Sequence, residues 1–265
     1  MNSIPSQELS QWLTHINDTV PSNKGETLLI KGAFEIPLRL EWMKTDIQSP
    51  YLAAFRRYIC EMACESLAPV EVEFLRQYPE AVNREIFLVG CAPFFAQGPQ
   101  AVDWEAVEEK IKSTIKQFYL ADISSFGIEV IKPLLNDVYC FATLRNEETK
   151  KLLGFTLFSI TPALPYGDIK IINLVVDPSQ KNQGLETLLL SMIFKIIPKA
   201  KRLFLFNRPT DTESLQMYQS LGFNVSKKPN QDPNHQVNPN YLILLEYQAN
   251  QSDGLQKVAE KLNNL

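Results

Sequence analysis

The chain has 265 residues, a formal net charge of -4, 45% hydrophobic and 21% charged residues. That balance suits a soluble globular protein, leaves room for one large domain or two small ones, and argues against a nucleic-acid partner, which needs a basic face. No apolar run approaches the ~20 residues that cross a bilayer, and the opening MNSIPSQELSQWL shows no basic region followed by an apolar block, so no membrane partner and no secretory signal are expected and the matching location is the cytoplasm.

Ser6 can cap a helix whose apolar positions are Leu9, Trp12, Leu13 and Ile16. Thr27–Ile30 and Ile36–Trp42 read as two strands around Gly32. A helix is expected from Tyr51 to Ser66, with Pro69 starting a second short one that runs to Tyr78. Glu85–Val89 reads as a strand. Asp103 caps a helix carrying Trp104, Val107, Ile111, Ile115 and Phe118 at helical spacing, and Ile123–Leu135 reads as another helical piece, broken near Pro133. Val138–Leu144 and Leu152–Ile160 are expected to pair as antiparallel strands across the polar 146–150 connection. The strand Ile169–Val176, the helix Leu185–Ile197, the strand Leu203–Phe206 and the short helix Glu213–Leu221 follow. The loop Lys227–Pro239 precedes a last strand, Tyr241–Tyr247, and Leu255, Val258, Ala259, Leu262 and Leu265 mark an amphipathic C-terminal helix that could dock on a second copy. From residue 86 onward this order is a mixed α/β layout on one sheet.

Four cysteines are present, Cys60, Cys64, Cys91 and Cys140. Cys60 and Cys64 would share a helix face, but no second pair and no nearby histidine completes a metal set, so they read as reduced core thiols and no metal is expected. His15 and His235 are isolated and read as surface residues.

The stretch Ile169–Phe223 carries the chemistry. A buried strand enters the punctuated turn Asp177–Gly184, and a helix starts at Gly184. Backbone N–H groups of Lys181, Asn182, Gln183, Gly184 and Leu185 can grip an anion there, with Gly184 leaving room for close approach. Two motifs in this stretch resemble the GNAT family of N-acetyltransferases, which use acetyl-CoA. The family's coenzyme signature, Val-x-Pro-x-x-Arg/Gln-x-x-Gly-x-Gly/Ala, is matched by Val176-Asp177-Pro178-Ser179-Gln180-Lys181-Asn182-Gln183-Gly184-Leu185-Glu186. The second signature, Asn-x-x-Ala-x-x-x-Tyr-x-x-x-Gly-Phe, is matched by Asp211, Ser214, Tyr218, Gly222 and Phe223.

The resemblance covers residues 84–248 and implies a mixed, mostly antiparallel sheet flanked by helices. Residues 1–83 would be an extra α+β extension or subdomain and 249–265 a C-terminal helix. It implies acetyl-CoA as co-substrate and an amine acceptor of a small molecule or protein, with the edge of Leu174, Val175 and Val176 pairing with the pantetheine arm. Lys181, Glu186, Asp211 and Ser214 would complete the coenzyme site. Tyr218 is the candidate acid, since its ordinary pKa of ~10 is close to that of the leaving thiol.

Three positions depart from the family pattern: Lys181 for Arg or Gln, Glu186 for the second Gly or Ala, and Asp211 for Asn. Where the ribosomal-protein branch carries a Glu base in Leu-Glu-Val-Arg, this chain has Leu205-Phe206-Asn207-Arg208, and Phe206 takes no proton. Asp168, Asp177, Asp211 and Glu213 are left as proton acceptors through water, and the residues select none of them. The acidic balance favours a basic or polyamine-like acceptor, and the resemblance implies that variable loops and the early helices, here Asp103–Leu135 or residues 1–83, would hold it. A second reading keeps the fold and loses the turnover, leaving an acyl-CoA-binding or protein-interaction module.

Overall fold

The computed structural model describes residues 26–30, 38–45, 50–85, 88–120, 138–160, 165, 167–181, 183–226 and 241–263. The expected N-terminal helix, the turn at Gly32, the helical piece Ile123–Leu135, the loop Lys227–Pro239, both histidines and Asn182 lie outside the described residues.

Among the described residues, eight strands form one sheet: β1 (Glu26–Ile30), β2 (Leu38–Thr45), β3 (Val138–Asn146), β4 (Leu152–Ile160), β5 (Asp168–Val176), β6 (Arg202–Asn207), β7 (Asn224–Val225) and β8 (Ile243–Gln248). Their spatial order is β1-β2-β3-β4-β5-β6-β8-β7. Every pair is antiparallel except β5 with β6. The helices are α1 (Pro50–Gln77), α2 (Trp104–Leu120), α3 (Leu185–Ile196), α4 (Thr212–Ser220) and α5 (Gly254–Asn263). The mixed, mostly antiparallel sheet flanked by helices is the expected fold class.

The expected boundary at 83/84 falls between two short 3-10 turns, Pro79–Asn83 and Val89–Phe95, and the chain on its two sides shares one sheet, because β2 pairs with β3 from Leu38↔Asn146 to Thr45↔Tyr139. Two apolar clusters cover the two sheet faces. One gathers α3, α4 and α5 residues on Cys140, Phe158, Ile171 and Val176. The other gathers α1 and α2 residues on Phe141, Phe155, Leu157 and Val175. The C-terminal helix seats Leu255 and Ala259, 1% and 4% exposed, in the first cluster, so these two apolar positions pack on this chain.

Two expected elements differ from what is observed. The helix breaks expected around Pro69 do not occur, and α1 runs straight through that proline. Pro69 is exposed, while Cys60, Ala63, Cys64 and Ala68 before it and Val72, Phe74 and Leu75 after it are buried. Burial on both sides outweighs the lost N–H and the ring clash of a helical proline. The described ends of the strand expected at Glu85–Val89, Glu85 and Leu88–Val89, are not in a strand either. The Leu88 N–H bonds Glu85 O at 2.8 Å and the Cys91 N–H bonds Leu88 O at 2.8 Å, so the backbone is spent on local turns rather than on a ladder. Residues 86–87 are outside the described set.

Candidate functional site

β5 and β6 pair at three positions only, Asp168↔Arg202, Ile169↔Leu203 and Lys170↔Phe204. A buried ionic group pins this short zip. The Arg202 guanidinium bridges Asp168 and the Glu246 carboxylate on β8, the latter at 2.6 Å. Just past the zip, β5 carries a bulge. Leu157 faces Asn173 and Phe158 faces Ile171, so Ile172 is the extra residue. A bulge bends and over-twists its strand, here turning β5 away from β6.

A cavity of about 210 Å³ lies in the resulting split. It is walled by β5 from Ile171 to Val176, by Leu205–Asn207 of β6, and by residues of α1 and α4. Ile172 packs with the α1–α2 cluster, whereas Leu174 and Met217 pack with the α3–α4 cluster. The cavity therefore runs between the two faces of the sheet, with Ser66, Leu67 and Val70 of α1 on one side and Asp211, Ser214 and Tyr218 on the other.

Most expected site residues meet here. Leu174, Val175, Val176, Lys181, Glu186, Asp211, Ser214 and Tyr218 all line the cavity. Gln183, Gly184 and Leu185 do not, and Leu185 is instead a core residue at 2% exposure. Gly184 still has a role. Its φ of 77° is left-handed, and it occupies the N-cap of α3 with no side-chain cap. A Cβ built there meets no atom within 4 Å. Open space beside uncapped first-turn N–H groups suits an incoming phosphate, so the residues present fit the coenzyme's pyrophosphate.

Tyr218 is buried, and its ring is held edge-on against Phe223, 5.4 Å between centroids. Gly222 makes that turn at φ 94°, where a Cβ would stand 2.8 Å from Ser252 Oγ. The phenol hydroxyl makes no hydrogen bond among the described residues. Burial, with the Asp211 and Glu186 carboxylates adding to it, pushes the phenol well above its ordinary range, so it stays protonated.

Each carboxylate named as a proton acceptor is already engaged. Asp211 Oδ1 accepts the Ser214 N–H at 3.1 Å as the N-cap of α4. Glu213 pairs with Lys181 Nζ at 2.8 Å. Asp177 accepts from Ser179 N and Oγ and pairs with Lys151 at 2.7 Å. Burial works against its charge, yet these partners hold its carboxyl below the ordinary range. Asp168 belongs to the Arg202 group, and burial pushes its carboxyl up. Phe206 lines the cavity where the ribosomal-protein branch has its base.

Residues 1–83 were expected near the acceptor without any particular helix, and what fixes the α1 wall was not foreseen. Its anchor is a buried pair that places Arg208, the residue after Asn207, against Glu71, the residue after Val70. Arg208 Nε reaches both Glu71 oxygens at 3.1 Å and Nη2 reaches Oε2 at 2.9 Å. The same guanidinium donates to Tyr241 O at 3.2 Å and lies 4.1 Å from the Phe74 ring centroid. A bidentate arginine fixes geometry as well as charge. Its signal in the sequence was only the Arg that ends Leu205–Arg208.

Among the described residues, no group of three or more His, Cys, Asp or Glu could hold a metal ion. No described helix is long and apolar enough to cross a membrane.

Residues 104–223 match the model of the Acetyltransferase (GNAT) family. The match places a GNAT acetyltransferase domain at residues 104–223. No curated protein matches the sequence. Among solved structures, the chain is similar to nourseothricin acetyltransferase at 12% identity, covering 42% of this chain and 65% of that one, with a TM-score of 0.34. It thus spans less than two thirds of that protein's length. It is also similar to the PaiA N-acetyltransferase of Thermoplasma acidophilum in complex with coenzyme A, at 15% identity over 70% of this chain and 92% of that one, with a TM-score of 0.38. A GNAT family acetyltransferase of Elizabethkingia anophelis with acetyl-CoA bound is 22% identical over 46% of this chain and 83% of that one, with a TM-score of 0.32.

Proposed function

We propose that this chain transfers an acetyl group from acetyl-CoA to a primary amine by direct attack on the thioester. The observation that carries this reading is the cavity through the β5–β6 split, with a protonated, buried Tyr218 on one side and α1 on the other. Two substrates can approach one point from opposite sheet faces, which suits transfer without a covalent enzyme intermediate.

Acetyl-CoA would supply the activated acetyl group. The uncapped N–H groups at the start of α3 would hold its pyrophosphate, and the edge of β5 that β6 leaves unpaired would hold its pantetheine amides. The amine nitrogen attacks the carbonyl carbon, the C–N bond forms, and the C–S bond breaks. Tyr218 gives its proton to the departing sulfur, the nitrogen loses a proton to water, and the phenol is refilled from solvent. Burial, with Asp211 and Glu186 adding to it, keeps the proton on the phenol and makes its anion costly, so the match to the thiol expected from its ordinary value is lost and donation would have to run in step with C–S cleavage.

A second reading has specific support. Lys181 is tied to Glu213, Glu186 lines the cavity, and Phe206 stands where a base is usual, a combination that favours coenzyme binding without efficient turnover. The two readings part in one experiment. Acetyl-CoA should raise Tm under both. Free thiol released in the presence of a broad panel of primary amines supports the enzyme, and binding without thiol release supports the module. No stabilisation at millimolar acetyl-CoA would sink both.

A further inference from the structure

We propose that Glu71 of α1 is a positioning residue for the proton donor: through Arg208 it fixes the turn that caps α4, and so aims Tyr218 into the β5–β6 split. This rests on the acetyl-transfer reading above. Glu71 lies outside residues 104–223, so a part of the chain beyond the matched domain completes its site.

The contacts run without a gap from α1 to α4. Arg208 is 7% exposed, and its side chain is fixed from several directions. Nε and Nη2 meet the Glu71 carboxylate as a fork, Nη1 donates to Tyr241 O, and the guanidinium lies over the Phe74 ring. Glu85 is a more distant partner, 3.5 Å from Nη1. With the side chain fixed, the Arg208 carbonyl is a fixed acceptor. It takes the Asp211 N–H at 3.1 Å and an Asn207 Nδ2 hydrogen at 3.1 Å. Asn207 Nδ2 also donates to Asp211 O at 3.1 Å, which ties the turn a second time. Asp211 leaves that turn as the N-cap of α4, its Oδ1 taking the Ser214 N–H.

Tyr218 follows Asp211 by about two helical turns, so the two share one face of α4 with Ser214, and all three line the cavity. Where the capped turn sits therefore sets where the phenol sits. The other polar tie at this end of α4 among the described residues is the exposed Lys181–Glu213 pair, and exposed pairs hold geometry weakly. A carboxylate meeting the arginine fork is set in angle as well as distance. Proton donation in step with C–S cleavage needs the phenol within hydrogen-bond reach of the sulfur, and a displacement of about 1 Å in such a geometry costs up to about a hundredfold in rate.

The test is a double-mutant cycle on kcat, in the full chain, at saturating acetyl-CoA and the fastest acceptor among phenethylamine, spermidine and lysine methyl ester. Wild type, Glu71→Gln, Tyr218→Phe and the double variant are assayed well below the Tm of the least stable of them. Glu71→Gln should lower kcat about tenfold when Tyr218 is present, and by less than about twofold in the Tyr218→Phe background, where no donor is left to aim. Arg208→Lys keeps the charge, loses the fork and should show the same pattern; it decides alone if Glu71→Gln does not fold. An unchanged kcat in Glu71→Gln overturns the inference. Equal losses in the two backgrounds also overturn it, because the pair then holds only the fold. If wild type binds acetyl-CoA but releases no thiol with these or the wider amine panel, the acetyl-transfer reading falls and the inference with it. If wild type turns over and the cycle shows equal losses, the inference alone falls.

Discussion

Tyr218 sits where burial and two carboxylates act in the same direction on one proton. The consequence for stability has a definite sign. The folded phenol ionises above its ordinary value of ~10, so the unfolded chain loses that proton first as pH rises. The contribution is fully present below pH ~10 and is lost as pH climbs from there toward the folded value. Tyr218→Phe has no such proton. Chemical denaturation between pH 8 and 11 should therefore show wild type weakening relative to Tyr218→Phe as pH passes about 10. A constant difference across that range would mean that the phenol is not shielded as described.

The elements that frame the site owe their arrangement to a zip and a bulge. Arg202 satisfies two carboxylates from β5 and β8 at the only positions where β5 and β6 pair. Breaking a buried ion group by removing one partner costs about 3–5 kcal/mol. Arg202→Leu should lower stability by about 3 kcal/mol at pH 8. Burial already raises the Asp168 carboxyl, so without its arginine this group holds its proton more readily, and the loss should shrink by pH 5. A urea series at the two pH values checks this, and an equal loss at both contradicts it.

Much of this element level was legible in the sequence. The alternating and continuous apolar runs of β3 through β6, the glycine that starts α3 and the Gly222–Phe223 stop after α4 are local signals, and all of these elements form within a few residues of where the patterns place them. What local pattern could not supply is anything set by long-range packing. Pro69 reads as a break because a proline's cost is local, while the burial that overrides it involves α2 and the sheet. Glu85–Val89 reads as a strand because its residues favour extended backbone, but at its described residues, Glu85, Leu88 and Val89, local turns hold the backbone instead. Ser66 carries no motif at all, and its place opposite Tyr218 follows from tertiary contact alone.

Across the whole molecule, α1 behaves as part of the core. Ala63, Ala68, Phe74 and Leu75 are fully buried against α2 and the sheet, and Glu71 is tied to Arg208 across 137 residues of chain. Removing residues 1–83 would strip β1 and β2 from the sheet edge, uncover this cluster and leave Arg208 buried without Glu71. The fragment 84–265 should therefore lack a cooperative thermal transition and expose apolar surface to a dye such as ANS. A fragment that melts cooperatively would show that the acetyltransferase unit stands without its first third.

The most direct test of the central claim, that acetyl-CoA reacts in the β5–β6 split beside Tyr218, compares thiol release by wild type and Tyr218→Phe at saturating acetyl-CoA and amine, with the coenzyme Kd measured by calorimetry for both. The account predicts that acetyl-CoA binds both proteins with similar Kd and that kcat falls about a hundredfold in Tyr218→Phe. Equal rates in the two proteins, or no coenzyme binding by either, would contradict it.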